Sequence, residues 1–201
     1  MPKYLIGLDE VGRGALAGPV FVSAVLIPEK LKINNKKLGK IYDSKKLNPQ
    51  KRFLWYKYLV NELKIQFCVS KIYSQKIDEI NISSAANLAA FKCVLKIIIN
   101  KNNLNPKNYK IFLDGGLYLK SKDFQKKFFP NAKTIIGGDK KYNVIKMASI
   151  IAKIKRDKFM ENLDKKYPQY FFNKHKGYGT KLHLKLIKTY GPTPIHRLTF
   201  L

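Results

Sequence analysis

The chain has few cysteines, histidines and acidic residues among its 201 positions. Its two cysteines, Cys68 and Cys93, lie in apolar segments and lack CxxC spacing, which predicts buried free thiols. The three histidines show neither HExxH nor zinc-finger spacing. The sequence therefore contains no disulfide framework and none of the common zinc motifs, and it is typical of a protein in a reducing cytoplasm.

Long hydrophobic runs are also missing. The apolar segment near the N-terminus meets Asp9 and Glu10 too early for a signal peptide. The most apolar stretch, 85–99, contains Lys92 and Lys96 and is too short to span a bilayer. We therefore expect a soluble, cytoplasmic protein that does not insert into a membrane.

Basic residues outnumber acidic ones by 40 to 13, which gives a formal net charge of +27. A hydrophobic fraction of 45% with 12% aromatic residues supplies a core and excludes a disordered basic tail. A field of this sign attracts polyanions, and nucleic acid or an anionic membrane is the first candidate. Most of the excess is Lys in a chain rich in Asn and Ile, so AT-rich codon usage would explain part of it. The few arginines are more informative: Arg13, Arg52, Arg156 and Arg197.

Apolar periodicity, interrupted by glycine, proline and capping residues, predicts an α/β fold. The predicted strands cover 3–8, 19–27, 65–73, 110–114 and 133–137, and the predicted helices cover 49–63, 84–100, 144–163 and 182–190. Asn48 is the expected N-cap of the first helix, and Ser83 or Ser84 that of the second. Consecutive strands should pair antiparallel, and strands separated by helices should pair parallel. We expect one domain, 1–201, in which helices flank a mixed central sheet and the C-terminal helical part, 165–201, packs on it.

Three of the predicted strands deliver an aspartate at or near their carboxyl ends. Asp9 ends the first strand and has Glu10 directly after it. Asp114 ends the fourth strand, and Asp139 follows the fifth. The carboxyl ends of parallel strands are where ligands bind in open α/β sheets. Any one of these residues alone could simply cap a turn, but their shared position favours one site.

Carboxylates that lie close together repel each other, so a cluster of them requires compensation. Two carboxylates about 4 Å apart repel each other by roughly 4 kcal/mol at an effective dielectric constant near 20. Such a cluster must be protonated or bridged by a cation, and an all-oxygen ligand set suits Mg²⁺ or Mn²⁺ rather than Zn²⁺. Two ions about 3.5–4 Å apart can activate a water and stabilise the leaving oxygen in phosphodiester hydrolysis. In a basic chain, the acids thus indicate nuclease chemistry.

Glycines follow the first acids directly. Gly12-Arg13-Gly14, with Gly18 behind it, misses the G-x-G-x-x-G spacing and lacks the Lys-Ser/Thr of a P-loop. Glycines let backbone N–H groups approach a phosphate closely, and Arg13 adds a fork-shaped donor. An ordinary glycine-rich hairpin loop explains this segment equally well.

The predicted helix after Asp139 places Lys146, Ser149, Lys153 and Arg156 on one face. A solvated basic face is the ordinary interpretation of such a stripe. The alternative is a substrate-binding face, which is favoured by the short distance in sequence from Asp139.

Two loops add further candidates. Lys45 and Lys46 form a short basic loop whose meaning is ambiguous. Tyr178 stands between Gly177 and Gly179, before the last predicted helix. An exposed ring in such a loop can stack on a sugar or a base, whereas the alternative is a loop tyrosine folded onto the core.

Seven segments in chain order form one further pattern: Asp9-Glu-Val-Gly-Arg-Gly14, Asp43-Ser-Lys-Lys-Leu47, Asp114-Gly115, Gly138-Asp139, Ala148-Ser-Ile-Ile-Ala-Lys153 with Arg156-Asp157, His175-Lys-Gly-Tyr178 and Pro194-Ile-His-Arg197. Each is weak alone, but the ordered set spans nearly the whole chain and resembles the ribonuclease HII (type 2 ribonuclease H) family. The resemblance implies a ribonuclease H-like fold and endonucleolytic cleavage of RNA in RNA–DNA hybrids. It also implies incision on the 5′ side of single ribonucleotides in duplex DNA, leaving a 3′-hydroxyl and a 5′-phosphate.

The resemblance implies residue roles as well. Four acids look like ligands for Mg²⁺ or Mn²⁺ in a two-metal site: Asp9, Glu10, Asp114 and Asp139. The loop that grips the ribonucleotide's 2′-hydroxyl and the adjoining phosphates looks like Gly12, Arg13 and Gly14. Tyr178 resembles the sensor of the ribose-to-deoxyribose junction. Lys45, Ser149 and Lys153 fall in segments that match the family's motifs, and the resemblance implies that they contact phosphates.

The expected partners are RNA–DNA hybrids and ribonucleotide-containing duplex DNA, bound by a monomer. Two alternatives stay open: a non-catalytic basic RNA-binding protein, and another ribonuclease H-like nuclease such as a junction resolvase. One geometric question is also open, because neighbouring residues of an ideal strand face opposite sides. Asp9 and Glu10 can both reach a metal only if the strand twists or ends between them, or if one contributes another group such as its backbone carbonyl.

Overall fold

The computed structural model describes residues 3–33, 35–41, 47–101 and 105–201. Its strands are β1 (Tyr4–Val11), β2 (Val20–Pro28), β3 (Gln66–Ile72), β4 (Tyr109–Asp114) and β5 (Ala132–Ile135). They form one sheet in the order β3-β2-β1-β4-β5. β2 pairs antiparallel with β1 and β3, whereas β4 pairs parallel with β1 and β5. The predicted α/β class and mixed sheet are therefore confirmed.

The α-helices are α1 (Pro49–Lys57), α2 (Ser74–Ile80), α3 (Ile82–Asn100), α4 (Lys122–Phe128), α5 (Gly138–Lys141), α6 (Asn143–Lys166), α7 (Phe172–His175) and α8 (Lys181–Tyr190). α1 passes directly into a π-helical turn, Tyr58–Glu62. α2 and α4 have no counterpart among the predicted helices, because seven residues are too few to show a clear helical period.

Side-chain caps explain where two of the helices begin. The Asn48 side chain accepts a hydrogen bond from the Lys51 N–H at 2.8 Å, which confirms the predicted cap of α1. The predicted cap of α3 is wrong. Asn81 accepts from the Ser84 N–H at 3.0 Å, so α3 begins at Ile82. Asparagine is as good an N-cap as serine, and its position two residues earlier extends the helix.

Helices cover both faces of the sheet. α3 packs on one face against β2 and β3, and α6, with α1 beside it, packs on the other face. All residues of β2 except the last are buried, because the strand lies between two others and beneath helices on both sides. By length and composition alone α3 could cross a membrane, but its alanine-rich face is buried against the sheet.

The approach of α6 to β1 is close enough to require glycine. A Cβ at Gly7 would lie 2.5 Å from the carbonyl carbon of Val144 and 2.8 Å from the nitrogen of Ile145. A clash with backbone cannot be relieved by a rotamer change. Because Gly7 and Asp9 are on the same face of β1, the helix that packs on the glycine also covers the aspartate.

The C-terminal region forms a third apolar cluster around Met160, Tyr170 and Phe172. Three histidines that are distant in sequence are buried around the Phe172 ring: His175, His183 and His196. Desolvation lowers the pKa of all three imidazoles, and it lowers the pKa of His183 to about 4. The three rings are therefore neutral at pH 7.

The neutral His183 ring predicts a pH-dependent stability difference. The unfolded chain binds a proton on this residue near pH 6.5, which the folded protein does not bind until about pH 4. The stability advantage of the wild type over His183→Asn should thus be complete above pH 6.5 and shrink as the pH falls towards about 4, by up to about 1.4 kcal/mol per pH unit. Urea unfolding of both proteins at several pH values measures it. A difference that does not change with pH would contradict the prediction.

Candidate active site

Asp9 and Asp114 stand at the carboxyl ends of two neighbouring parallel strands. β1 and β4 pair with Leu8 beside Leu113, so the next residue of each strand is one of the two aspartates. The two leucine side chains belong to the core on the α3 side of the sheet. Because side chains alternate along a strand, both aspartates lie on the opposite face, which α6 covers.

Burial and mutual repulsion disfavour the ionised forms of these carboxyls. Asp9 is only 6% exposed. Its desolvation, followed by the charges of Glu10 and Asp114, raises its pKa well above the ordinary value. Desolvation and then the charge of Asp139 raise the pKa of Asp114. A bound cation would remove this penalty, because it stabilises the ionised form of each carboxyl.

Asp139 reaches Asp114 through the turn that follows β5. A Cβ at Gly138 would lie 2.5 Å from Cδ1 of Ile145 and 3.2 Å from Oδ1 of Asp114, so glycine permits a close approach here. The Asp139 backbone N–H donates a hydrogen bond to Oδ1 of Asp114 at 3.2 Å. The three predicted aspartates therefore lie at one end of the sheet, under the start of α6.

Glu10 lies on the other face of β1 from Asp9. The strand stays regular through Val11, so the two neighbouring side chains point in opposite directions. The Glu10 carboxylate is 3.6 Å from Nη1 of Arg13. Arg13 in turn donates from Nη2 to Oγ of Ser83, at the start of α3, at 2.7 Å. The strand thus neither ends nor breaks between the two acids.

The donor set has the chemistry that a hard cation requires. Asp9, Asp114 and Asp139 offer only oxygen, which suits Mg²⁺ or Mn²⁺. In the part of the chain that the structure describes, no three His, Cys, Asp or Glu side chains converge as a complete ligand set. The raised pKa values of Asp9 and Asp114 show that a positive charge at this position would be stabilising. The residues present therefore fit a divalent metal.

Two of the predicted phosphate contacts lie on α6. Ser149 is buried, and its side chain forms a hydrogen bond with Asp9. Lys153 donates from Nζ to Oδ1 of Asp157 at 2.8 Å. Contact with a phosphate stays a prediction for both residues. Lys45, the third of this group, lies outside the described residues.

The loop after β1 needs glycine at one end and leaves the other end open. Gly12 has a φ of +87°, and a Cβ there would lie 2.1 Å from Nε of Arg156. Gly14 is exposed, and a Cβ there would meet no atom within 4 Å. The first glycine is thus fixed by packing inside the protein, whereas packing does not explain the second.

Two buried arginines hold this loop and its neighbours from inside. The Arg197 guanidinium donates, at 2.7–3.0 Å, to the carbonyls of Gly12, Arg13 and Gly18. The Arg156 guanidinium donates, at 2.9–3.2 Å, to the carbonyls of Ala17, Pro19 and Lys176. The solvated-face interpretation is therefore wrong for Arg156, which is fully buried and bonded to backbone carbonyls in place of water. The sequence pattern predicts no role for Arg197, although an arginine in so lysine-rich a chain is an available signal.

Tyr178 lies beside this loop. An isolated β-bridge pairs it with Ala15, and its side chain is half-buried. The Arg156 guanidinium is 5.2 Å from the centroid of its ring, and the Lys153 ammonium is 6.0 Å from it. The structure thus places Tyr178 beside the glycine loop and close to two cations of α6, the buried Arg156 and the half-buried Lys153.

Comparison with known proteins gives a consistent result. The family model described as Ribonuclease HII matches residues 6–201. A curated relative named "Ribonuclease HII" from Caldicellulosiruptor bescii is 40% identical over 199 residues, which cover 99% of this chain and 87% of the relative.

Solved structures show the same fold. The "ribonuclease H2 from Pyrococcus horikoshii OT3" superposes with a TM-score of 0.68 at 28% identity, covering 98% of this chain and 93% of that one. "Bst-RNase HIII in complex with Mn2+" has a TM-score of 0.72 at 18% identity, covers 98% of this chain and 66% of that one, and supports the fold alone. The chain therefore belongs to the ribonuclease HII family, whose members are hydrolytic endoribonucleases.

Proposed function

We propose that this protein hydrolyses the RNA strand of RNA–DNA hybrids and incises duplex DNA on the 5′ side of a single ribonucleotide. The products are a 3′-hydroxyl and a 5′-phosphate. One observation carries the proposal: two carboxyls with raised pKa values, the buried Asp9 and the half-buried Asp114, end neighbouring strands in a chain of net charge +27. A protein that only bound RNA would gain nothing from placing these acids on its binding surface.

The metal proposed for this site is Mg²⁺ or Mn²⁺. Asp9, Asp114 and Asp139 would hold it through their carboxylates. Glu10 would contribute its backbone carbonyl, because its side chain lies on the other face of β1. When bound, two such ions supply an activated water and stabilise the leaving oxygen. The choice of ion follows from the all-oxygen donor set, and the ribonuclease HIII neighbour, itself a complex with Mn²⁺, is consistent with it.

The surrounding side chains have separate tasks. The Ser149 side chain, bonded to Asp9, orients that carboxylate. Arg13, half-exposed beside Glu10, supplies donors for a phosphate next to the scissile bond. Exposed backbone at Gly14 approaches the 2′-hydroxyl of the ribonucleotide, and the ring of Tyr178 stacks on the sugar that follows it.

Substrate binding is proposed to be electrostatic at first and specific at the junction. The excess of basic residues attracts the duplex irrespective of sequence, with an affinity that falls as salt rises. Recognition of the ribose depends on Gly14 and on Tyr178, which pairs with Ala15, the residue after that glycine. We propose that a monomer performs both steps.

Removing the charge of Asp9 should raise the stability of the metal-free protein and lower its activity. Without metal, Asp9→Asn should unfold at a higher temperature than the wild type, because it removes a buried repelled charge. With Mg²⁺ it should cleave a single-ribonucleotide duplex at least about 1000-fold more slowly. Thermal unfolding with and without Mg²⁺, and initial cleavage rates, measure both effects. Glu29→Gln, at an exposed acid, is the charge-matched control. Near-wild-type cleavage by Asp9→Asn would overturn the metal assignment.

The two glycines of the loop should respond differently to alanine. Gly12→Ala should cost more than about 2 kcal/mol of stability, because its Cβ meets Arg156 and its φ is positive. Gly14→Ala should leave stability within about 0.5 kcal/mol but reduce kcat/KM about tenfold, because the methyl group intrudes where the substrate approaches. Urea unfolding and cleavage kinetics of both variants test this. Full activity of Gly14→Ala would remove this glycine from the substrate contacts.

A further inference from the structure

The three buried histidines form a hydrogen-bonded cluster that the proposed chemistry does not use. The rings of His175 and His183 stack with centroids 4.2 Å apart, and those of His183 and His196 are 5.2 Å apart. Among the described residues this cluster does not qualify as a metal site. Its ring nitrogens are occupied by bonds to the backbone and to each other, so the question is what these bonds hold in place.

Backbone donors and acceptors fix the direction of each bond between His196 and Tyr178. The Thr193 N–H donates to Nδ1 of His196 at 2.9 Å, so the proton of His196 is on Nε2. Nε2 of His196 lies 3.1 Å from Nε2 of His183, which must therefore accept. The His183 proton is then on Nδ1, which donates to the carbonyl oxygen of Tyr178 at 3.0 Å. The result is a one-way chain from Thr193 through two neutral imidazoles to Tyr178.

His175 holds the residue next to Tyr178 in the same manner. Its Nδ1 accepts from the Gly177 N–H at 3.2 Å, and its Nε2 donates to the Tyr170 carbonyl at 2.8 Å. Each imidazole thus uses one nitrogen as acceptor and the other as donor. An added proton would break a bond in every case, and the lowered pKa values agree with neutral rings.

At its other end, near His196, this chain of hydrogen bonds is connected to the loop 12–14. His196 is followed by Arg197, whose guanidinium bonds the carbonyls of Gly12 and Arg13. The Arg197 N–H also donates to the Leu16 carbonyl at 2.8 Å. Two adjacent residues of the C-terminal segment therefore connect the two loops that are proposed to contact the ribonucleotide.

We propose that His196 and His183 are positioning residues that set the distance between the ring of Tyr178 and the loop 12–14. This spacing would decide how well a single ribonucleotide is distinguished from a continuous hybrid. The inference deepens the proposed function and rests on it. None of the hydrogen bonds described for the three imidazole rings involves the acids at the ends of β1 and β4, so we expect cleavage of a continuous hybrid not to depend on the chain of bonds.

The test compares two substitutions of His196. His196→Gln keeps an amide N–H where Nε2 stands, whereas His196→Leu keeps volume but removes the donor. We expect His196→Leu to lose about tenfold in kcat on a single-ribonucleotide duplex relative to a continuous hybrid, and His196→Gln to retain the wild-type ratio. Leu186→Ala, which loosens the same apolar cluster and keeps all three imidazoles, is the stability control and should also retain the ratio.

A double variant shows whether the effect passes through Tyr178. Tyr178→Ala should lower the same ratio, which is kcat on the single-ribonucleotide duplex divided by kcat on the continuous hybrid. The double variant, His196→Leu with Tyr178→Ala, should lower this ratio no further than Tyr178→Ala alone. Additive losses would overturn the inference, as would an equal loss on both substrates or an unchanged ratio in His196→Leu. If the wild type cuts neither substrate, the proposed function fails instead.

A spectroscopic measurement tests the chain of bonds without any cleavage. Long-range ¹H–¹⁵N spectra of the imidazoles at pH 7 should show His183 protonated only on Nδ1 and His196 only on Nε2. His196→Gln should leave the Nδ1–H form of His183 unchanged, and His196→Leu should allow the other tautomer to appear. A charged His183, or a proton on its Nε2 in the wild type, would overturn the proposal whatever the substrate preference.

Discussion

The placement of two desolvated carboxyls at the ends of adjacent parallel strands is the constraint around which this structure is arranged. Asp9 and Asp114 are brought together because they end adjacent parallel strands, and the helix over Gly7 also covers Asp9, which is buried. Such an arrangement costs free energy in the protein alone, as the raised pKa values show. A bound cation would remove this free-energy cost by stabilising the ionised carboxylates. The raised pKa values of these acids are therefore the strongest sign of a metal-dependent reaction.

Near the acids, two buried arginines stabilise loops of the protein through hydrogen bonds to the backbone. Arg156 and Arg197 are bonded to backbone carbonyls of the glycine loop and its neighbours. The three histidines act similarly as neutral connectors on the side of Tyr178. The exposed groups of the surface are thus positioned by an inner layer of basic residues, whose loss would move the substrate contacts without touching the acids.

The sequence predicted the sheet and its long helices because strand and helix periods are strong over those segments. It predicted the three aspartates because each follows an apolar strand. Short helices such as α4 escaped prediction, since seven residues carry little periodicity. The burial of Arg156 and the clustering of the histidines could not be read from spacing, because both depend on loops that meet only in the folded chain. For the same reason the stripe on α6 was ambiguous: whether a face is solvated is decided by what packs on it.

The central claim is that these acids make a metal-dependent enzyme that requires a ribonucleotide in its substrate. The most direct measurement places two duplexes side by side, one entirely DNA and one with a single internal ribonucleotide, each with Mg²⁺ and with a chelator. We predict one cut on the 5′ side of the ribonucleotide, only with Mg²⁺, and an intact all-DNA duplex. Cleavage of the all-DNA duplex, or cleavage of either duplex with the chelator present, would contradict the claim.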